Sequence, residues 1–153
     1  MTYDAAEARR ALVEELLGAA GHITSAIAYA SAAYDALDDT SGGRLEEQVF
    51  GPLQKALGTL RRAAGGFAAR HGDPAAPAGP PPPEPHPSQG VAALLEGCAA
   101  AARAADEHLG ALQDSLVLIE LGDADLRAGV SDARRRLGDV PAALRGFVRT
   151  LGR

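Results

Sequence analysis

The sequence predicts an all-α fold, a four-helix bundle of two antiparallel helical hairpins joined by a long proline-rich linker. Three observations carry this expectation. Thirty-four of the 153 residues are alanine, the best intrinsic helix former, while tryptophan is absent and there are only three phenylalanines and three tyrosines. Leucine and alanine must then build the core, and small side chains let helix axes approach closely. Apolar residues recur at alternating three- and four-residue spacing through four long segments, which is a helical and not a strand period. Finally, eight of the ten prolines fall in residues 73–87, DPAAPAGPPPPEPHP, near the middle of the chain. Proline has no backbone N–H and clashes with a preceding helical turn, so neither a helix nor a central strand crosses this tract. A chain of this length buries roughly 70% of its unfolded surface as a single domain, and residues 1–153 are read as one.

The first helix is expected over residues 4–38. Asp4 followed by Glu7 has the spacing of a capping box. Leu12, Leu16, Ala19, Ile23, Ile27, Ala30, Tyr34 and Leu37 form its seam. The run DDTSGG then ends it, with Gly42 and Gly43 able to take positive φ and Thr40 or Ser41 able to cap the next element. The second helix is expected over 43–71, with Leu45, Val49, Leu53, Leu57, Leu60, Ala64 and Phe67 inward. Pro52 lies inside this run, so the helix is read as kinked, with a break into two as the alternative. Gly72 and Pro74 stop it.

The third helix is expected over 88–121, capped by Ser88. Its seam is Val91, Leu95, Cys98, Ala102, Ala105, Leu109, Leu112, Leu116 and Ile119, a heptad spacing without exception. Its middle, CAAAARAA, is thin, so a neighbouring helix should come close there. The fourth helix is expected over 125–151 after a cap at Asp123 or Asp125, with Leu126, Val130, Ala133, Leu137, Val140, Leu144, Phe147 and Leu151 inward and a kink at Pro141. Short connections force antiparallel neighbours within each hairpin.

The linker decides how the hairpins meet. Fifteen residues in polyproline conformation reach about 46 Å at roughly 3.1 Å each, and a thirty-residue helix is about 45 Å long. The preferred expectation is a linker that loops out, giving an up-down-up-down order. It can also run back along the bundle and leave the second and third helices parallel, or allow hairpins to exchange between two copies.

Charge and compartment narrow the function classes. The net charge is −5 and the pI about 5.3, which argues against nucleic acid because phosphate binding needs clustered Lys and Arg. The lone cysteine, Cys98, leaves no internal disulfide and fits a reducing compartment. The start TYDAAEARR is polar, so no signal peptide is expected, and no window approaches eighteen consecutive apolar residues free of charge, so no membrane span is expected. A cytoplasmic protein follows.

Candidate chemistry is sparse. His22 and His108 lie at similar depths on the first and third helices, each beside a seam position, and Glu15 lies one heptad before His22. These three residues are the candidate metal or small-ligand site. A carboxylate-bridged di-iron bundle needs Glu-x-x-His pairs, and the residues three before the two histidines are Ala19 and Ala105. Phosphotransfer bundles carry His-x-x-Lys/Arg-Gly, whereas His108 is followed by Leu-Gly-Ala-Leu. No strand-linked glycine loop exists to cradle phosphate. No cofactor and no catalytic group is expected, and the chain is read as non-enzymatic.

Surface features point instead to a protein partner or to self-association as a homodimer. Residues 127–153 hold seven arginines against Asp132 and Asp139, densest at Arg134, Arg135 and Arg136. This charge either complements the acidic first and third helices or meets an acidic partner. In SLVLIEL, residues 115–121, Leu116 and Ile119 occupy the seam, leaving Val117, Leu118 and Leu121 to point elsewhere as a candidate association surface.

Overall fold

The computed structural model of the chain describes residues 2–73, 82–85 and 89–151, with side chains from residue 5 onward. All regular structure among them is helical. In chain order the elements are α1 (Thr2–Tyr34), α2 (Asp39–Leu45), a π-helical turn (Glu46–Phe50), α3 (Gly51–Arg70), α4 (Val91–Gln113), α5 (Leu116–Leu121), α6 (Ala124–Gly138) and α7 (Val140–Leu151). Most of the proline tract lies outside the described residues, and with it the expected Ser88 cap. The N-cap of α4 is Gly90, in extended conformation.

The boundaries differ from expectation where local hydrogen bonding won over periodicity. Already helical at Thr2, α1 does not begin at Asp4, and it ends at Tyr34 instead of Asp38. Asp38 is the cap of α2, its carboxylate accepting from the Ser41 amide at 2.7 Å, so neither Thr40 nor Ser41 caps. Gly42 and Gly43 are helical; the one glycine at positive φ among the described residues is Gly72, which stops α3. Gly42 is needed for a different reason. A Cβ there would stand 2.9 Å from the Tyr34 ring.

Proline acts differently in the two hairpins. The second segment continues through Pro52 because the π turn just before it absorbs the missing amide bond. The fourth is interrupted at Asp139, two residues before Pro141, giving α6 and α7. The third also divides: α4 ends at Gln113 and α5 restarts at Ser115.

The core is apolar throughout the described residues. Leu12, Leu16, Ala19 and Ile23 of α1, Leu53, Leu60, Ala64 and Phe67 of α3, and Leu95, Cys98, Ala102, Ala105 and Leu109 of α4 are at most 2% exposed. On α6 and α7 the expected seam from Leu126 to Phe147 is buried, and only its last member, Leu151, is exposed. The charge-free half of α1 makes Ala5–Tyr34 long and apolar enough to cross a membrane by length and composition. In this structure its buried face packs against α3 and α4.

Side-chain pairs set the directions. Arg9 meets Asp73 at 3.6 Å and the Tyr34 ring meets Phe50, so α3 returns antiparallel to α1. His108 lies beside Gly18 and His22 while Gly97 lies under the Tyr29 ring, so α4 is also antiparallel to α1. It follows that α3 and α4 run parallel. Arg70 to Asp123, Gly129 against Ala63 and Thr59 to Asp132 make α6 antiparallel to α3. The preferred up-down-up-down order is thus corrected: α3 and α4 run parallel, the order expected as the alternative. The thin alanine-rich middle of α4 lies on α1, as its small side chains require, and this is the most extensive helix contact.

Candidate functional site

Three groups of side chains were singled out by sequence, and the structure treats each differently. The first is the α5 segment. Asp114 closes α4, and Ser115 takes an extended conformation (φ −81°, ψ 142°). Its Oγ donates to the Leu112 carbonyl at 2.7 Å and accepts from the Leu118 amide at 3.3 Å, so it both ends one helix and caps the next. The heptad phase is reset there. Leu118, expected on the outside, is 2% exposed. Leu116 and Ile119, expected on the seam, are 69% and 56% exposed, joined by Val117 at 42%. Leu121 is half-buried. Gly122 ends α5, and a Cβ there would stand 2.5 Å from the Leu118 carbonyl oxygen. A six-residue helix with three exposed aliphatic side chains is therefore bounded by a serine cap at one end and, at the other, by a glycine whose Cβ would clash with the Leu118 carbonyl.

The second group is the arginine run. Arg134 reaches back to α4, donating to Asp106 at 2.9 Å and to Gln113 at 2.7 Å. Arg136 donates to Asp132 at 3.0 Å, and Arg135 bonds the same carboxylate from the next position. Asp132 also accepts from the Thr59 hydroxyl. The arginines hold the Asp132 carboxyl below the ordinary carboxylate range, Arg136 being the stronger influence. Arg134, Arg135 and Arg136 thus all have partners within the molecule.

The third group is His22, His108 and Glu15, which the structure brings together although α1 and α4 are antiparallel. The Glu15 carboxylate accepts from His108 Nε2 at 2.7 Å. The His22 ring stands edge-on to His108, with centroids 5.8 Å apart and planes at 66°. Gly18 makes room for the His108 ring, since a Cβ there would come within 3.1 Å. Among the described residues no three His, Cys, Asp or Glu side chains are arranged to hold a metal ion.

Two features escaped sequence reasoning. At the turn before α6, Asp123 is the cap, one of the two candidates expected there, accepting from the Leu126 amide at 2.8 Å; what was missed is that it also takes two bonds from Arg70, at 2.7 and 2.9 Å. The guanidinium first, and the cap bond with it, lower the Asp123 pKa. The other feature is a groove between α4 and α7 containing Arg103, Arg145 and Arg149. The i, i+4 spacing of Arg145 and Arg149 was the available signal. Cys98 lies at the centre of the α4 seam, where burial pushes its thiol up to about 12.

No protein-family model matches this chain, and no curated protein or solved structure matches it either.

Proposed function

We propose that this chain is a non-enzymatic interaction or scaffold module of the cytoplasm. In this reading it is a four-helix bundle whose two hairpins are joined by the proline-rich linker, and its partner is a second copy docking through α5. The observation that carries the reading is the exposed aliphatic face of Leu116, Val117 and Ile119 on a helix capped at Ser115. Contiguous exposed aliphatic side chains mark association surfaces. A two-fold axis through α5 would place the same patch on both copies, so that each covers the other. The wholly apolar core of the described residues supports a non-enzymatic role, since a bundle enzyme needs converging polar groups. The acidic net charge supports the absence of nucleic acid among its partners. The burial of α1 on α3 and α4 supports a core helix over a membrane segment.

Sedimentation equilibrium tests this. The wild type is expected to show a dimer mass at micromolar concentration, and Leu116→Asp with Ile119→Asp a monomer mass with unchanged helicity. A wild-type monomer across that range sinks the proposal. A second reading, small-ligand binding at His22, His108 and Glu15, draws support from their juxtaposition alone, and the arrangement of the three does not suit a metal ion. Titration with imidazole followed by calorimetry tests it, and saturable binding that is lost in His108→Ala is the outcome it requires.

A further inference from the structure

We propose that the groove between α4 and α7 binds a single-chain anionic amphiphile, a carboxylate carrying an alkyl tail. The groove has a volume of about 350 Å³, within the range of small-molecule sites. Its floor is apolar, formed by Leu95, Ala99, Leu144 and Val148, the first three of which belong to the core. Its rim is cationic. Arg103 from α4 and Arg145 and Arg149 from α7 stand over that floor against a single acid, Glu96.

What distinguishes these arginines is that they converge on one apolar groove while, like Arg10, Arg44, Arg61, Arg62 and Arg127, having no carboxylate within 4.0 Å among the described residues. Arg9, Arg70, Arg134, Arg135 and Arg136 each have a carboxylate within 4.0 Å. Among the described residues, none lies that close to Arg103, Arg145 or Arg149. The positive strip continues past Arg149 into an adjoining hollow with Arg44, whose guanidinium lies 4.9 Å from the centre of the Phe147 ring. Within the last segment, Arg134–Arg136 are paired with carboxylates, whereas Arg145 and Arg149 at the groove have no such partner among the described residues. Guanidinium groups bind carboxylates through paired charge-assisted bonds, and an apolar floor favours a tail in proportion to the methylenes it removes from water.

Dimension favours a small ligand over a protein segment. The lining on α4 extends from Leu95 to Arg103, about 12 Å of helix, and on α7 only from Leu144 to Arg149. A partner helix of 10–12 Å diameter would rest on the rim without filling the groove. This site is independent of α5, so its failure leaves the self-association reading intact, and the reverse.

The test is calorimetric titration of the full chain with dodecanoate below its micellar concentration, alongside dodecyltrimethylammonium and acetate. Dodecanoate is expected to bind at one per chain, and the other two not to bind. The triple variant Arg103→Ala, Arg145→Ala, Arg149→Ala should weaken dodecanoate by about tenfold or more. These three side chains are exposed, so the variant should keep wild-type helicity, and a sedimentation mass equal to wild type separates the result from the α5 reading. Equal binding of the cationic amphiphile, undiminished binding in the triple variant, or no saturable binding each overturns the proposal. Binding of a polyglutamate peptide in place of dodecanoate would also overturn it, and would assign the surface to an acidic protein.

Discussion

Gly129 on α6 packs directly on Ala63 of α3, and replacing it should cost stability although alanine is the better helix former. A Cβ at Gly129 would stand 2.5 Å from the Ala63 Cβ. Carbon atoms pack best at about 3.5–4.0 Å, so the two helices must part by about 1 Å. They cannot do so locally. Leu60 and Ala64 of α3 and Leu126, Val130 and Ala133 of α6 flank the contact and are buried. Overpacking of this kind costs about 1–3 kcal/mol, and the gain in helix propensity returns about 1 kcal/mol. Gly129→Ala should therefore lose about 1 kcal/mol net. Gly65 on α3 supplies the control, being exposed with nothing within 4 Å of its notional Cβ. There only the propensity gain remains, and Gly65→Ala should stabilise by up to about 1 kcal/mol. In thermal unfolding followed by circular dichroism, the two variants should shift Tm in opposite directions, each by about 2–4 °C. Adding Ala63→Gly to Gly129→Ala should recover part of the loss. If Gly129→Ala stabilises as much as Gly65→Ala, the close approach of α3 and α6 is wrong.

Asp123 gives a pH dependence. Its carboxyl is lowered by Arg70 and the cap bond, so its contribution is fully present above the unfolded carboxylate value near 3.8 and is lost as pH falls through the lower folded value. Denaturant titrations from pH 6 to 2 should show a wild-type loss of stability below about pH 4 that is shallower in Asp123→Asn. The Cys98 thiol, held near 12 by burial, should ignore a thiol reagent at pH 8 in the folded protein and react fully in denaturant. Rapid reaction in the folded state would mean that the α4 seam opens. Phe147 is 2% exposed beneath the Arg44 guanidinium, and Phe147→Ala should lose about 3–5 kcal/mol in urea unfolding.

How much of this was legible in the sequence depends on the range of the interaction. The α4, α6 and α7 seams followed from spacing alone, because each helical residue's face is set by its own position. The reset at Ser115 was not read, since the heptad pattern continues numerically through it while the Ser115 hydroxyl ends the helix physically. The clue was a serine three residues before Leu118, the arrangement of an N-cap. The parallel relation of α3 and α4 was written nowhere locally, because the linker is long enough for either order. Only long-range pairs such as Arg9 with Asp73 and Tyr29 over Gly97 decide it. Among the candidate site residues, Arg134–Arg136 drew notice as the densest charge, yet the same helix carries Asp132 within reach of two of them. Arg145 and Arg149, with no carboxylate within 4.0 Å among the described residues, lie one turn apart on α7, where density gives no signal.

The central claim, that α5 of one copy covers α5 of another, is tested most directly by cross-linking at Leu116, the most exposed aliphatic side chain. In a Cys98→Ala background, Leu116→Cys should form a disulfide-linked dimer on mild oxidation, and Gln48→Cys, exposed on the π turn, should not. A Leu116→Cys protein that stays monomeric, or one that cross-links no faster than Gln48→Cys, would contradict the claim.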